Sequence, residues 1–339
     1  MERYSHDAHL TSSEIANLWS QYMNDSMSIC VIKHYLQHVK DQEIRDILEY
    51  ALELATGHIS QITRFLNEEN FPIPLGFTEE DVNLDAPPIF SDKLVIHYMY
   101  IMTVHGLSGY AGSLNTSIRD DQVQYFISCN QEAMELYRRI TKTMREKGMI
   151  NRPPDLNPPE EVTMIQKQNY LSGGWFGPKR PLNAVEVSGI YFNMKKDVVK
   201  ICMEIASKQM TSSKELRNYF ERGKKICDKQ YNEFSKLLTE SDLPSAVKLD
   251  DQVTNTTIPA FSDKLMLFHI LNLLSTAAGY YGAALALSQR RDLGTTYFSM
   301  IIEVLKYAED GINIMIKNGW MEEPPTFVDR DRLSKKKKK

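Results

Sequence analysis

Cysteine is scarce in this 339-residue chain: four residues, at positions 30, 129, 202 and 227, with no C-x-x-C pair among them. Cys30 and Cys202 sit inside apolar runs, so buried structural thiols fit better than a disulfide framework or a zinc knuckle. Glu-x-x-His does not occur anywhere. There is no phosphate-cradling glycine loop, no dinucleotide fingerprint and no G-x-S-x-G elbow, since Gly106-Leu107-Ser108-Gly109 has the wrong spacing and lies in a helical stretch. The sequence starts Met1-Glu2-Arg3-Tyr4-Ser5-His6-Asp7, without an apolar signal region. With the unpaired cysteines, this leads us to expect a reducing, cytoplasmic setting.

A strong basic excess is also missing. The net charge is −4; residues 1–150 carry 21 acidic and 12 basic side chains, residues 151–181 carry 3 and 4, and residues 182–339 carry 20 and 24. Five of the last group are the terminal run Lys335 to Lys339. Neither half has the electrostatic footprint of a nucleic-acid binder. The lysine run reads as a solvated tail whose five charges carry no specificity.

What is present is a repeat. Phe90-Ser91-Asp92-Lys93-Leu94 returns as Phe261-Ser262-Asp263-Lys264-Leu265, and Gly148 with Pro153-Pro154 returns as Gly319 with Pro324-Pro325. Asp25 matches Asp197, Cys30 matches Cys202, and Glu43 and Arg45 match Glu215 and Arg217. A period near 171 residues is a domain duplication rather than a solenoid.

Each copy reads as four long helices. Ile15, Leu18, Tyr22, Ile29, Ile32, Leu36 and Val39 share one face of the first, over about 13–39, and Ile44, Ile47, Leu48, Ala51, Leu54, His58, Ile62 and Phe65 one face of the second, over about 42–67. The third starts at Ser91 and the fourth runs over about 123–147. Thr11-x-x-Glu14 and Ser212-x-x-Glu215 have the capping-box pattern. Short turns after the first and third helices make each pair antiparallel. About twenty residues separate the second and third, enough to span about 66 Å against a helix of about 39 Å. The second and third helices are therefore parallel, which is the connectivity of ferritin-like bundles. The expected fold class is all-α, two tandem ferritin-like four-helix bundles related by duplication. Residues 1–148 are the first bundle, 149–181 a Pro/Gly-rich joint, 182–328 the second bundle and 329–339 a basic tail. The joint holds six of the fourteen prolines and carries Trp175 and Phe176, whose apolar bulk leads us to expect it packed into a groove between the bundles.

These two units, the Phe-Ser-Asp-Lys-Leu start of each third helix and the joint Gly173-Gly174-Trp175-Phe176-Gly177-Pro178-Lys179-Arg180-Pro181-Leu182 resemble a family of spore-forming bacilli catalogued as a domain of unknown function, number three-two-three-one. The resemblance covers essentially the whole chain. It implies no chemistry, because the family has no established activity. A related ferritin-like group includes a spore coat protein, which implies a structural or spore-associated role.

Iron-binding members of such folds need two Glu and two Glu-x-x-His pairs pointing inward. Here Asp25 and His58 fall on apolar stripes, with His97 a third candidate on the next helix, while Glu132 and Glu135 lie off the stripe of helix four. That donor count is about half of a di-metal site. Asp25 is expected to be paired with His58 or a tyrosine, because a charge on the seam must be neutralised. No metal and no cofactor are expected; if a metal is bound, Asp25, His58 and His97 would hold it. His34-x-x-x-His38 is two ligands alone, a weak zinc signal.

Leu94 to Ile118 and Leu265 to Gln289 contain no Asp, Glu, Lys or Arg. Their length could span a bilayer, yet His97, His105 and Asn115 interrupt the first, and a helix apolar all round is ordinarily buried on all sides. Their small residues, Gly106, Gly109 and Gly112, and Gly279, Gly282 and Ala286, predict close backbone contact that joins the copies into an intramolecular pair. The sequence therefore points to a non-enzymatic interaction protein. A metal-binding oxidase or storage bundle is the alternative, and a carrier of a small apolar ligand between the third helices a second.

Overall fold

A computed structural model of the chain describes residues 8–173 and 179–336. It contains α1 (Ser12–His38), α2 (Gln42–Glu68), α3 (Asp92–Asn115), α4 (Asp120–Glu146), α5 (Ala184–Met210), α6 (Lys214–Thr239), α7 (Asp263–Leu287), α8 (Arg291–Lys317) and a short α9 (Arg330–Lys336). The architecture is all-helical: among the described residues the only β pairing is two isolated bridges. Helices α1–α4 form one four-helix bundle and α5–α8 another.

Local chemistry sets the helix ends. Thr11 and Glu14 cap α1 reciprocally, as the pattern predicts. Ser213, not Ser212, caps α6, accepting from the Leu216 amide, so the helix starts one residue later than the capping-box spacing implies. Gly148 and Gly319 stand at φ +65° and +68°, and the amide of the following residue reaches back to Met144 O and Met315 O. This left-handed C-terminal cap explains why the glycine recurs in both copies.

Directions follow from end contacts. The backbone amides of Lys40 and Asp41, which lead into α2, bind Asp92 Oδ2 at the start of α3. Glu69 after α2 pairs with Arg119 after α3. Helices α2 and α3 are therefore parallel, and the segment between them crosses the length of the bundle. In the second copy Lys179 links Glu240 after α6 to Asp292 after α7, the same relation. Buried Glu14 and Glu186 do equivalent work, each accepting from two backbone amides before the fourth helix of its bundle.

The two crossovers pair with each other about a pseudo-twofold axis. Val82 bridges Phe261 and Phe90 bridges Val253. Asn83 N donates to Ala260 O and Thr254 N to Ile89 O; Ser91 Oγ donates to Gln252 Oε1 and Ser262 Oγ to Asp81 Oδ1. Every contact is matched by the one obtained on shifting both partners by the 171-residue repeat, which is the signature of an isologous interface. Tyr98 and His269, equivalent residues, meet on the axis at 3.2 Å. One continuous apolar core runs through both bundles.

The third helices join the copies, but not through their glycines. Nothing lies within 4 Å of a Cβ placed on Gly109, Gly112, Gly279 or Gly282. Tyr98, His105, His269 and Tyr280 make the contact instead, with Tyr280 reaching Ser108 and stacking on His105. Large side chains fill the crossing and hold the backbones apart. Gly109→Ala should therefore raise stability by roughly 0.5–1 kcal/mol, the usual helix-interior difference, and Gly109→Leu should be tolerated; thermal unfolding of both variants checks this.

The joint departs from expectation as well. Leu156, Val162, Met164 and Ile165 are strongly exposed, so this part does not fill a groove. Its two ends are anchored, the first by Met149 and Ile150 against the core and by Tyr191 Oη donating to Asn151 Oδ1, the last by Arg180 on Glu186 and over the Tyr170 ring. Trp175 and Phe176 lie outside the described residues, as do Lys337 to Lys339. Among the described helices α7 is long and apolar enough to cross a membrane; here it packs against α5 and α8, with Leu265, Leu267, Ile270 and Tyr281 inaccessible.

Candidate functional site

The first bundle holds a polar cluster at its centre. Asp25 projects from the middle of α1 and His58 from the matching level of α2. His58 Nδ1 is 3.2 Å from Asp25 Oδ2, and Nε2 is 2.9 Å from Glu132 Oε2 on α4. Cys129, one turn before Glu132, lies 3.8 Å from Gln21 Nε2 and is buried. Tyr110 and Tyr125 close round the imidazole edge-on, with ring centroids 5.7 and 6.1 Å away. Burial pulls the imidazole pKa down, but hydrogen bonds to Asp25, Cys129 and Glu132 outweigh it and push it up to about 12. Burial raises the Asp25 carboxyl against the opposing pull of His58.

Beside this cluster is a cavity of about 100 Å³, walled by Asp25, His58 and Tyr110 at one end and by Met99, Met102 and Leu136 along its side. The duplicated bundle shows what else the fold can do at this level. Positions equivalent to Ser28, Ile32, Ala55 and Leu136 carry Lys200, Glu204, Cys227 and Tyr307. Lys200 Nζ binds Glu204 Oε1 at 2.8 Å, both side chains being inaccessible, and Tyr307 Oη lies 3.3 Å from Glu204. One copy keeps a hollow where the other packs an ion pair.

The imidazole and the thiol are also lost in the second copy. Asp197 persists, but Gln230, Met300 and Glu303 stand for His58, Cys129 and Glu132. Tyr281, the counterpart of Tyr110, bonds Asp197 and Gln230 in their place, at 3.0 and 2.9 Å.

Of the residues singled out from sequence, Asp25 and His58 come together and His97 does not join them. His97 lies elsewhere on α3, by the Met149 backbone and the ammonium groups of Lys195 and Lys93; burial and these cations lower it to about 4. His34 and His38 both direct Nε2 at the Ala86 carbonyl, at 3.3 and 2.8 Å, and so hold the crossover. Cys129 and Glu132 were not legible as site residues. Glu132 is off the apolar stripe and reaches inward only through the length of its side chain. Their spacing of three, which puts both on one helical face with the His58 level, is the signal available.

Fold and site together define a class: a duplicated pair of four-helix bundles fused into an internal pseudo-dimer, with one bundle hollow and one filled. The chain matches the family described as "Protein of unknown function (DUF3231)" over residues 2–162 and 171–333, and belongs to it. A Bacillus subtilis (strain 168) relative, "Uncharacterized protein YvdQ", is 25% identical over 146 residues, 42% of this chain and 85% of that protein. A solved structure from Bacillus halodurans C-125, described as a candidate spore coat protein, aligns with a TM-score of 0.42 at 18% identity over 45% of this chain and 98% of its own.

Proposed function

We propose that this chain is a non-catalytic building block that associates with a second copy of itself through the outer face of α8. The observation that carries this is a solvent-facing stripe of Phe298, Ile302, Leu305, Ile312 and Ile316, exposed by 58, 39, 53, 37 and 60%. Their steps of four, three, seven and four residues follow the seam spacing of a coiled coil. The fold does not require it: the same face of α4 carries Ile127, Gln131, Met134, Thr141 and Arg145. An apolar stripe of this length on one copy only marks an interaction surface.

Charge selects the occupant. Lys306 flanks the middle of the stripe and Glu309 interrupts it, at the seam position between Leu305 and Ile312; both are exposed and make no ion pair among the described residues. Antiparallel apposition of two α8 helices about residue 307 sets Phe298 against Ile316, Ile302 against Ile312 and Leu305 against Glu309. It also brings Lys306 of each chain beside Glu309 of the other. Sedimentation of the full chain should show a dimer, and Leu305→Glu with Ile312→Glu should return a monomer of unchanged helicity. Met134→Glu, on the matching face of α4, should leave the dimer intact. A monomeric parent at micromolar concentration would refute the reading. The spore-associated setting implied by the family resemblance is tested by comparing growing cells with spores.

The cavity favours a second reading, carriage of a small apolar molecule within the first bundle rather than between the third helices. Native mass spectrometry of the purified chain would then show an adduct.

A further inference from the structure

We propose that His58, Cys129 and Glu132 form a mononuclear site for a zinc-class divalent cation in the first bundle, with Asp25 orienting the imidazole. This goes beyond the association through α8 and does not depend on it. A nitrogen, a sulfur and a carboxylate oxygen of these three residues lie within 4.8 Å of one another. Tetrahedral bonds of about 2.0–2.3 Å place ligand atoms roughly 3.3–3.8 Å apart. Rotation about the Glu132 and Cys129 side chains covers the difference without movement of either helix.

The donor types narrow the cation. A thiolate with an imidazole and one carboxylate suits zinc and its borderline neighbours, and is a poor match for magnesium or calcium, which prefer all-oxygen sets. Asp25 faces Nδ1 of His58, on the side of the ring away from Glu132. A carboxylate there fixes the tautomer that leaves Nε2 free to coordinate, the usual support of a metal-bound histidine. Binding displaces the Nε2 proton of His58 and the thiol proton of Cys129 to water.

The surroundings fit a fourth ligand from solvent. Gln21 is only 6% exposed, its Nε2 faces Cys129, and its Oε1 has no hydrogen-bond partner. The Tyr125 hydroxyl, on the turn before Cys129, is likewise buried and unpartnered. Both are placed to hold a cation-bound water. Glu132, 38% exposed at its side chain, gives the entry path.

The second bundle is a built-in control. With Gln230 and Met300 at the positions of His58 and Cys129, it has lost the imidazole and the thiol. The expected stoichiometry is therefore one cation per chain, not two.

The test is titration of the chelator-stripped full chain with cobalt(II), followed by absorption spectroscopy. One equivalent should develop the visible bands of tetrahedral cobalt and a near-ultraviolet thiolate-to-cobalt band, both bleached by zinc. Cys129→Ser should abolish the thiolate band, while Cys202→Ser and Cys227→Ser should keep it. Asp25→Asn should keep the spectrum and weaken binding about 10–100-fold, as expected of a positioning residue. Glu132→Gln, at a partly exposed site, guards against variants that fail to fold and should also lose affinity. Absence of a tetrahedral spectrum, a thiolate band that survives Cys129→Ser, or two equivalents per chain would each overturn the assignment and leave His58 in a purely structural ion pair.

Discussion

Lys200→Met should destabilise the chain by about 3–5 kcal/mol, the usual effect of removing one partner from a buried ion pair. Lys200 and Glu204 are 3 and 0% exposed at their side chains, and the pair is closed off by Tyr307, Tyr219 and Cys227. Removing the ammonium leaves Glu204 with only the Tyr307 hydroxyl, which already donates to Tyr219 O at 3.0 Å. The carboxylate must then take up a proton or pull water into the core. Gly223 adds to the constraint, since a Cβ there would collide with Glu204 and Tyr307 and the network has no room to rearrange. The double variant Lys200→Met, Glu204→Ile should recover most of the loss. It places isoleucine where the first copy has Ile32, and an apolar replacement of a whole buried pair is often neutral or stabilising. Thermal unfolding of the single and double variants checks both statements. A single-variant loss below about 1 kcal/mol would mean that the pair is hydrated.

This network also marks where sequence reading stops. Duplication, helix number and the parallel second and third helices were legible because they depend on spacing: matching offsets, apolar periodicity and turn length. Asp25 and His58 were legible because they interrupt an apolar stripe. Lys200 and Glu204 were not, because two charges four residues apart read as a solvated helix face, and only the small residue at Gly223 on α6 makes room to bury them. Glu132 was hidden for the opposite reason, as its backbone faces outward and its side chain bends back. The glycines of α3 misled because a stripe of small residues permits close packing without requiring it. Tyr98 and His269, in the same helices, decided the separation. Periodicity shows which face is apolar; it does not show how far a long polar side chain extends or what lies across from a small one.

Acidification from pH 7 to 5 should cost several kcal/mol of stability, through histidines buried as neutral rings. Burial is the main cause for each: His269 and His34 are lowered to about 4, His97 to about 4 with help from Lys195, and His105 to about 3 with help from Lys196 and His269. A histidine in the unfolded chain protonates near pH 6.5. Between that value and about 4 the unfolded state therefore binds protons that the folded state does not, so stability falls as pH falls. At pH 5 each ring contributes a loss of up to about 2 kcal/mol, from 1.5 units at about 1.4 kcal/mol per unit. Four groups run the other way: His58, Asp197, Asp25 and Glu204. His58, raised to about 12, keeps its proton throughout, while the unfolded chain takes one up near pH 6.5. Burial raises Asp197 to about 6 and raises Asp25 and Glu204, and each of the four shifts favours the folded state as pH falls. These groups offset part of the loss from the four neutral imidazoles. The loss concentrates at the pseudo-twofold contact, where His269 meets Tyr98 and His105 stacks on Tyr280 with neither ring nitrogen bonded. Urea unfolding at pH 7 and 5 measures the difference. His105→Phe keeps the stack and removes the titration, and should recover about 2 kcal/mol of the loss at pH 5 while changing little at pH 7. Equal stability at both pH values, or no recovery in that variant, would show that these rings titrate as solvated histidines in the folded chain.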